Sequence, residues 1–173
     1  MPVREILQLG HPLLYEKSLP IDDPFAPESL SLIIDLDDTL ADFRKTNGFG
    51  RGIAAPQIGL LRRVIFICTK EPSFSGALIN PVITKGTDRK VELWDSCFSF
   101  PELMVRVSRA DEIEVEYYSE QGDRLRLEAE GDLSELLQHE IDHLDGIPAV
   151  MRAISPQAFM TRQEWLRQGR PTG

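Results

Sequence analysis

Apolar residues at helical spacing predict helices on either side of a strand-rich middle of the chain. Between residues 28 and 45 apolar side chains recur with the helical period, and Gly48 follows them as a stop signal. The residues at these positions are Leu30, Ile33, Ile34, Leu40 and Phe43. A second helix is predicted from an N-cap at Asp132 to a stop at Gly146. Ser155-Pro156 is typical of an N-cap with a first-turn proline and predicts a short last helix.

The middle of the chain shows the patterns of β-strands. Residues 64–68 form a short apolar run typical of a buried strand, and residues 77–84 and 90–94 are predicted as further strands. Between 112 and 117 apolar residues alternate with glutamates, so one face of that strand should be buried and the other wet. The alternation resumes at residues 125–129 after a turn, which predicts a hairpin. Because there is little sign of βαβ repetition, we expect an α+β fold.

Composition narrows the class of protein. The chain has 173 residues, so residues 1–173 fit one domain that can bury a core without disulfide bonds. Its formal net charge of −9 argues against nucleic acid or an anionic membrane as the main partner. The first residues lead into no sustained apolar run, and no segment approaches the length of a membrane span. We therefore expect a cytoplasmic protein with reduced cysteines, of which Cys68 falls in a buried-strand pattern and is predicted to be a core residue.

Residues 138–146, with the sequence Q-H-E-I-D-H-L-D-G, have the pattern of a metal site with its own proton carrier. His139 and His143 are four residues apart, so on a helix both imidazoles project from one face and can bind one metal ion. Glu140 follows the first histidine, where its carboxylate can exchange a proton with a water held by the metal. The apolar stripe of the same helix places this site at the edge of the core. The stripe consists of Leu133, Leu137, Ile141 and Leu144.

Cys97 is a candidate third ligand. It follows the strand predicted at 90–94, and its thiolate would complete a set of two imidazoles and one sulfur. A structural zinc site needs four protein ligands, whereas three ligands leave a position for water or substrate and are typical of catalysis. An ordinary zinc peptidase would leave Cys97 unexplained, since its third ligand is usually histidine or glutamate. Spacing alone leaves a second interpretation open, in which Cys97 is a buried structural thiol.

Residues 50–59 combine closely spaced glycines with a lone amide side chain. Gly50 and Gly52 allow a substrate backbone to pair with the edge of the chain, and the Gln57 amide can donate a hydrogen bond to a developing oxyanion. A phosphate-binding loop is the other interpretation of such a G-x-G pattern. The missing Lys-Ser/Thr pair and the acidic composition count against that interpretation.

These three segments, in this order, resemble the peptide deformylases. That family carries G-x-G-L-A-A-x-Q, then E-G-C-L-S, then Q-H-E-x-D-H-L-x-G, and this chain has G-R-G-I-A-A-P-Q, D-S-C-F-S and Q-H-E-I-D-H-L-D-G. Residues 6–12 also resemble the family's opening segment, and residues 79–81 resemble its central strand. The resemblance implies a peptide-deformylase-like α+β fold, with antiparallel or mixed sheets packed around a central metal-binding helix. It further implies removal of the formyl group from the N-terminal methionine of newly made polypeptides.

The resemblance also implies a role for each matching residue. It implies one divalent metal ion, Fe²⁺ in the cell with Zn²⁺ or Ni²⁺ able to substitute. The ligands would be Cys97, His139 and His143. Glu140 matches the general acid/base, while Gln57 and the backbone N–H of Phe98 match the groups that polarise the formyl carbonyl. The substrate-binding segment would consist of Gly50, Arg51, Gly52 and Ile53.

The chain departs from the family pattern in the second motif and beyond it. Asp95, Ser96 and Phe98 replace glutamate, glycine and leucine. Met104 stands where the family commonly has a substrate-facing arginine, and Arg106 is a candidate replacement for that arginine.

Three further departures fall around the expected methionine pocket. Arg51 takes the place of a small or aliphatic residue, and Asp132 and Glu135 are acidic where an apolar wall is expected. Two interpretations remain open. Either Arg51 pairs with these acids at the rim of an ordinary pocket, or it belongs to a redesigned pocket that selects another substrate.

Three functions fit the sequence. The first is a deformylase of formylated peptide N-termini that acts as a monomer, with the ribosome as a candidate partner. The second is the same chemistry on another N-formyl or small amide substrate, which Arg51 and the altered second motif favour. The third is a non-catalytic metal-bearing module that binds peptide N-termini. Glu140 and Gln57 argue against the third function, because a binding module has no need for a proton carrier.

Overall fold

The computed structural model describes residues 3–70 and 73–172, which form three α-helices and two sheets. The helices are α1 (Pro27–Asn47), α2 (Gly131–Leu144) and α3 (Arg162–Arg167). The strands are β1 (Gly52–Ala54), β2 (Val64–Thr69), β3 (Phe74–Gly86), β4 (Lys90–Asp95), β5 (Leu103–Ala110), β6 (Glu112–Tyr118), β7 (Arg124–Glu130) and β8 (Phe159–Thr161). Short 3₁₀ helices span Pro12–Tyr15, Ala55–Ile58 and Ala149–Arg152. These elements confirm the α+β class.

The strands form one large and one small sheet. Their orders are β1-β2-β3-β6-β7 and β4-β5-β8, and neighbouring strands in both sheets run antiparallel. The predicted hairpin is confirmed as β6 and β7, in which Ile113 pairs with Ala129 and Tyr117 pairs with Leu125. The strands predicted at 64–68, 77–84 and 90–94 are confirmed as β2, β3 and β4. The pattern of apolar and polar residues in the sequence predicted no strand at the positions of β1, β5 or β8.

The large sheet carries a helix on each face. Along β2 the side chains alternate, so that Ile65 and Ile67 pack in the cluster with α2 while Val64 and Phe66 pack in the cluster with α1. The predicted apolar stripe of α2 is buried throughout. Its members are Leu133, Leu137, Ile141 and Leu144. Because α2 also contacts β5 of the small sheet, it lies centrally between the two sheets, as expected.

The helix predicted at residues 28–45 is confirmed as α1. Of the apolar residues at helical spacing, Ile33 and Leu40 are buried, whereas Leu30 and Ile34 are 42% and 44% exposed. The buried face also includes Leu32 and Leu36. None of the helices in the described ranges is long and apolar enough to cross a membrane.

The predicted starts of the two later helices were wrong. α2 begins at Gly131 with Glu130 at the N-cap position, so Asp132 lies in the first turn and is not the cap. α3 begins at Arg162, where the Thr161 hydroxyl accepts a hydrogen bond from the backbone N–H of Glu164 at 3.2 Å. Residues 155–158, predicted to open a helix, form a bend and a turn.

Two edge strands border a single cleft beside α2. β1 lies at one edge of the large sheet and β4 lies at one edge of the small sheet. Gly52 from β1, Trp94 from β4, and His139 and Glu140 from α2 all line this cleft, which has a volume of about 950 Å³. The fold therefore brings the three sequence motifs to one place.

Candidate metal centre

Two histidines from α2 and one cysteine from the loop after β4 form a compact cluster. Cys97 Sγ lies 3.2 Å from His143 Nε2, and one donor atom from each of the three residues lies within 4.8 Å of the others. All three side chains are buried. A tetrahedral ion keeps its ligand atoms about 3.5 Å apart when its bonds to sulfur and nitrogen are near 2.3 and 2.1 Å. The spacing and the chemistry of these donors fit one metal ion.

Asp95 orients the first histidine of the cluster. His139 Nδ1 lies 2.8 Å from Asp95 Oδ2, which leaves Nε2 as the free ligand atom of that ring. Burial raises the pKa of the Asp95 carboxyl, but His139 and Arg109 outweigh burial and lower it to about 2. Burial alone would lower the pKa of His139, yet the Asp95 carboxylate and Cys97 raise it well above its usual value. The carboxylate is therefore charged and fixed behind the histidine.

The second histidine is held in its neutral form. Burial and the neighbouring His139 lower the pKa of His143 well below its usual value. Its Nδ1 has no hydrogen-bond partner among the described residues, while its Nε2 faces Cys97. A neutral imidazole is the form that binds a metal ion.

A buried ionic network supports the centre from behind. Arg109 is only 4% exposed, and it donates to Asp95 at 3.2 Å and also to Asp142. Asp142 in turn accepts from Arg152 at 2.7 Å. In the sequence, Asp95 is recognisable only as a departure from the family pattern, and no motif points to Arg109, Asp142 or Arg152. Their separation along the chain gave no signal that they meet.

Glu140 lies at the cleft wall and is almost wholly buried. Its Oε2 has no hydrogen-bond partner among the described residues. Burial is the largest influence on the pKa of Glu140 and raises it. His139 lowers this pKa, whereas Asp95 and Glu135 raise it further, and the result is a pKa of about 7. Gly52 makes room for this side chain, because a Cβ atom at Gly52 would lie only 2.7 Å from Glu140 Oε1. The carboxyl group is placed to exchange protons near neutral pH.

Gln57 presents its amide nitrogen to the cluster. Its Oε1 accepts a hydrogen bond from Ala54 N at 2.9 Å, so Nε2 points the other way. Nε2 lies 3.4 Å from Cys97 Sγ and 3.3 Å from the Ser99 hydroxyl. The structure thus brings Gln57 to the metal cluster, as the resemblance implied.

Phe98 helps to build the cleft wall. Its ring stacks on Phe43 with centroids 3.8 Å apart. Gly50 packs so closely on this ring that a Cβ atom there would lie 2.5 Å from Phe98 Cζ. The Phe98 ring therefore packs directly against the backbone of Gly50.

Arg51 forms an ion pair in the wall of the cleft. Its Nη2 lies 2.6 Å from Glu135 Oε2, and its Nη1 donates to the backbone oxygen of Asp132 at 3.3 Å. The Arg51 side chain is 42% exposed, whereas that of Glu135 is 11% exposed. Burial is the largest influence on the pKa of Glu135 and raises it, while Arg51 lowers it. All three residues line the same cleft as the metal cluster.

Other predicted residues lie elsewhere than expected. Ile53 is fully buried in the core cluster with α1, so its side chain does not reach the cleft. Arg106 pairs with Glu92 at 3.0 Å. Cys68 is half-buried rather than wholly in the core, and it lines the cleft with its sulfur 2.7 Å from Arg44 Nη1.

Fold and site together define an α+β protein with a candidate metal centre formed by Cys97, His139 and His143. The sequence pattern of the polypeptide deformylase family matches residues 3–159. This chain therefore belongs to the peptide deformylase family.

Individual relatives agree with that assignment. A peptide deformylase of Desulfitobacterium hafniense is 39% identical over 155 residues, covering 88% of this chain and 96% of that protein. A peptide deformylase of Brachyspira hyodysenteriae is 37% identical over 171 residues, covering 94% of this chain and 87% of that protein. The crystal structure of peptide deformylase from Thermotoga maritima superposes with a TM-score of 0.81 at 28% identity, covering 90% of this chain and 100% of that one. The family and the fold expected from the motifs are thereby confirmed.

Proposed function

We propose that this chain is a metal-dependent hydrolase that removes the formyl group from the N-terminal methionine of newly made polypeptides. One observation carries the proposal: the buried Glu140 carboxyl, whose Oε2 has no hydrogen-bond partner among the described residues, lines the same cleft as Cys97 and His139 of the three-residue cluster. Three protein ligands leave a position for water or substrate. Membership of the family and the peptide deformylase names of its relatives support the reaction.

Cys97, His139 and His143 would hold one divalent metal, Fe²⁺ in the cell, with Zn²⁺ or Ni²⁺ able to substitute. When bound, the metal supplies Lewis acidity that lowers the pKa of a water molecule and polarises a carbonyl oxygen. The thiolate ligand adds negative charge and weakens that acidity, so hydrogen-bond donors from the protein must help.

Three groups of the protein would carry the chemistry. The Glu140 carboxylate takes a proton from the attacking water and later gives it to the leaving amine. The amide of Gln57 and the backbone N–H of Phe98 donate hydrogen bonds to the developing oxyanion on the formyl group. The position of Gln57 Nε2, 3.4 Å from Cys97 Sγ, supports this role.

The peptide would lie extended between the two edge strands. The backbone of Gly50, Arg51 and Gly52 would contact it on one side, and β4 on the other. Glycines suit this position because a side chain there would collide with Phe98 or with Glu140. A cytoplasmic monomer that meets formylated chains as they leave the ribosome fits this substrate.

A second candidate is the same reaction on a different N-formyl substrate. The Arg51–Glu135 ion pair favours it, because two charged groups line the cleft beside the metal cluster. A methionine side chain would have to approach these charges without any hydrogen bond in return.

The test is hydrolysis by the iron-loaded protein of formyl-Met peptides beside a panel of other formyl-aminoacyl peptides. Fastest turnover of formyl-Met supports the first function, and faster turnover of a polar first residue supports the second. Binding without turnover of any of them would leave only a non-catalytic module.

A further inference from the structure

The segment that follows α3 turns back into the cleft that holds the metal centre. Gly169 and Arg170 adopt left-handed backbone conformations, with φ angles of 80° and 62°, and reverse the chain at the end of the helix. The backbone N–H of Arg170 donates to the backbone oxygen of Trp165 at 2.9 Å, which fixes this reversal. Pro171 and Thr172 then line the cleft.

Two hydrogen bonds hold the segment in place. The Trp165 indole Nε1 donates to the backbone oxygen of Pro171 at 2.9 Å. The backbone N–H of Trp94 donates to the backbone oxygen of Thr172 at 3.3 Å. Trp94 belongs to β4, an edge strand, so the segment occupies a main-chain donor on the open side of that edge.

The register of the small sheet shows why this donor is available. Trp94 pairs with Arg106 of β5, but the backbone groups of Arg106 bond to Ala158 and Ile154 on the other side of β5. Trp94 and Arg106 therefore form a non-hydrogen-bonded pair, in which the backbone N–H and C=O groups of both residues point away from the partner strand. The N–H of Trp94 therefore points away from β5, toward the edge that borders the cleft.

A long extended substrate would need the same edge. Trp94 is three residues before Cys97, so the two residues lie at most about 10 Å apart along the chain. A peptide whose formyl group lies at the metal rises by about 3.3 Å per residue. It would therefore pass Trp94 with its third or fourth residue, where the Thr172 carbonyl now lies.

We propose that residues 169–172 form a strap that sets the length of peptide the cleft accepts. N-formyl dipeptides bind beside the strap without disturbing it, whereas substrates of four or more residues must displace it from β4. Displacement of the strap then weakens the binding of long N-formyl chains relative to short N-formyl peptides. This inference rests on the proposed deformylase function.

The experiment compares the full chain with a variant lacking residues 169–173, using formyl-Met-Ala and formyl-Met-Ala-Ser-Ala as substrates. Removing the strap should lower KM for the tetrapeptide by about three- to tenfold, the range expected for one main-chain hydrogen bond. KM for the dipeptide and both kcat values should stay unchanged.

A substitution provides a milder second variant. Trp165→Ala removes the indole bond to Pro171 and should shift the tetrapeptide KM in the same direction by a smaller factor. Leu166→Ala, at a 46% exposed position of the same helix, is the matched control and should change neither KM.

The possible outcomes distinguish a failure of the strap inference from a failure of the proposed deformylase function. If the full chain hydrolyses the dipeptide but strap removal leaves the ratio of the two KM values unchanged, the strap has no role and the deformylase function stands. If the full chain hydrolyses neither substrate, both the proposed function and this inference are wrong.

Discussion

Glu140 is deeply buried, its Oε2 has no hydrogen-bond partner in the described part of the chain, and it lines the cleft with Cys97 and His139. Glu140→Gln keeps its size but cannot carry a proton, so we expect kcat on formyl-Met peptides to fall by about 10²–10⁴-fold. Metal content should not change, because Glu140 is not a ligand. Steady-state kinetics and metal analysis of the purified variant test both statements. Glu128→Gln, on an exposed position of β7, is the control, and near-normal kcat in Glu140→Gln would refute the mechanism.

Cys97 is the proposed ligand that distinguishes this site from a two-histidine pattern on a helix. Cys97→Ala leaves only two ligands, so we expect the protein to lose its tightly bound metal equivalent on gel filtration. Cys68→Ala removes the other thiol that lines the same cleft and should retain the metal. One tightly bound equivalent in Cys97→Ala would contradict the ligand assignment.

Asp95 acts on the metal through His139. Asp95→Asn keeps the shape of the side chain but loses the charge that fixes the histidine ring, and metal affinity should fall by about 10–100-fold. Competition with a chelator measures this affinity. Asp111→Asn, at another acidic residue lining the cleft, should leave the affinity unchanged. An unchanged affinity in Asp95→Asn would show that the ring is oriented by other contacts.

Sequence could predict the ligands but not the groups behind them. His139 and His143 share one helix face by spacing alone, so their meeting follows from local geometry. Arg109 meets Asp142 across 33 residues, and such pairs depend on how β5 packs against α2. Only the three-dimensional structure reveals that network.

At the scale of elements, β1 and α2 approach so closely that only glycine fits at residue 52. Gly52→Ala would place a Cβ atom 2.7 Å from Glu140 Oε1 and push the carboxyl group aside. Misplacement of a catalytic group by about 1 Å can cost about 10²-fold in rate, so we expect kcat to fall on that scale while metal is retained. Gly76→Ala, where the nearest atom would be 3.8 Å away, is the control. Wild-type kcat in Gly52→Ala would mean that the carboxyl group can move freely.

Strands were predicted correctly where apolar and polar residues alternate along the chain. The buried face of a helix could not be predicted where apolar residues occur on several of its faces. β6 and β7 were predicted because buried residues such as Val115 alternate with glutamates. On α1 the apolar residues surround much of the helix, so spacing could not decide between Leu30 and Leu32 for the core. β1 has only three residues, too few for any period to appear.

At the scale of the whole molecule, the site exists because two sheets present their edges to one cleft. Gly52 and Trp94 are far apart in sequence and belong to different sheets, yet both line the cleft. Strand patterns indicate neither the order of the strands nor which edges meet. The resemblance of three motifs to one family supplied that arrangement.

The Arg51–Glu135 pair lines this cleft, and its role would distinguish between the two proposed substrates. The Arg51 side chain is 42% exposed, and an ion pair at that exposure stabilises the fold by only about 0–1 kcal/mol. The pair therefore contributes little to stability, and a role in substrate selection can be tested separately. Arg51→Leu alone would leave Glu135 buried without its partner, so the double variant Arg51→Leu/Glu135→Leu is the cleaner change.

If the pair selects substrate, the double variant should raise kcat/KM for formyl-Met peptides relative to formyl peptides with a polar first residue. An apolar wall discriminates on the scale of about tenfold or more, and that is the change we expect in the ratio. Kinetics on matched peptides that differ only in the first residue give this ratio directly. Arg124→Leu, which breaks an exposed ion pair with Glu116 on the hairpin, is the control. A ratio that stays the same in the double variant would make the pair a rim contact and favour formyl-methionine as the natural substrate.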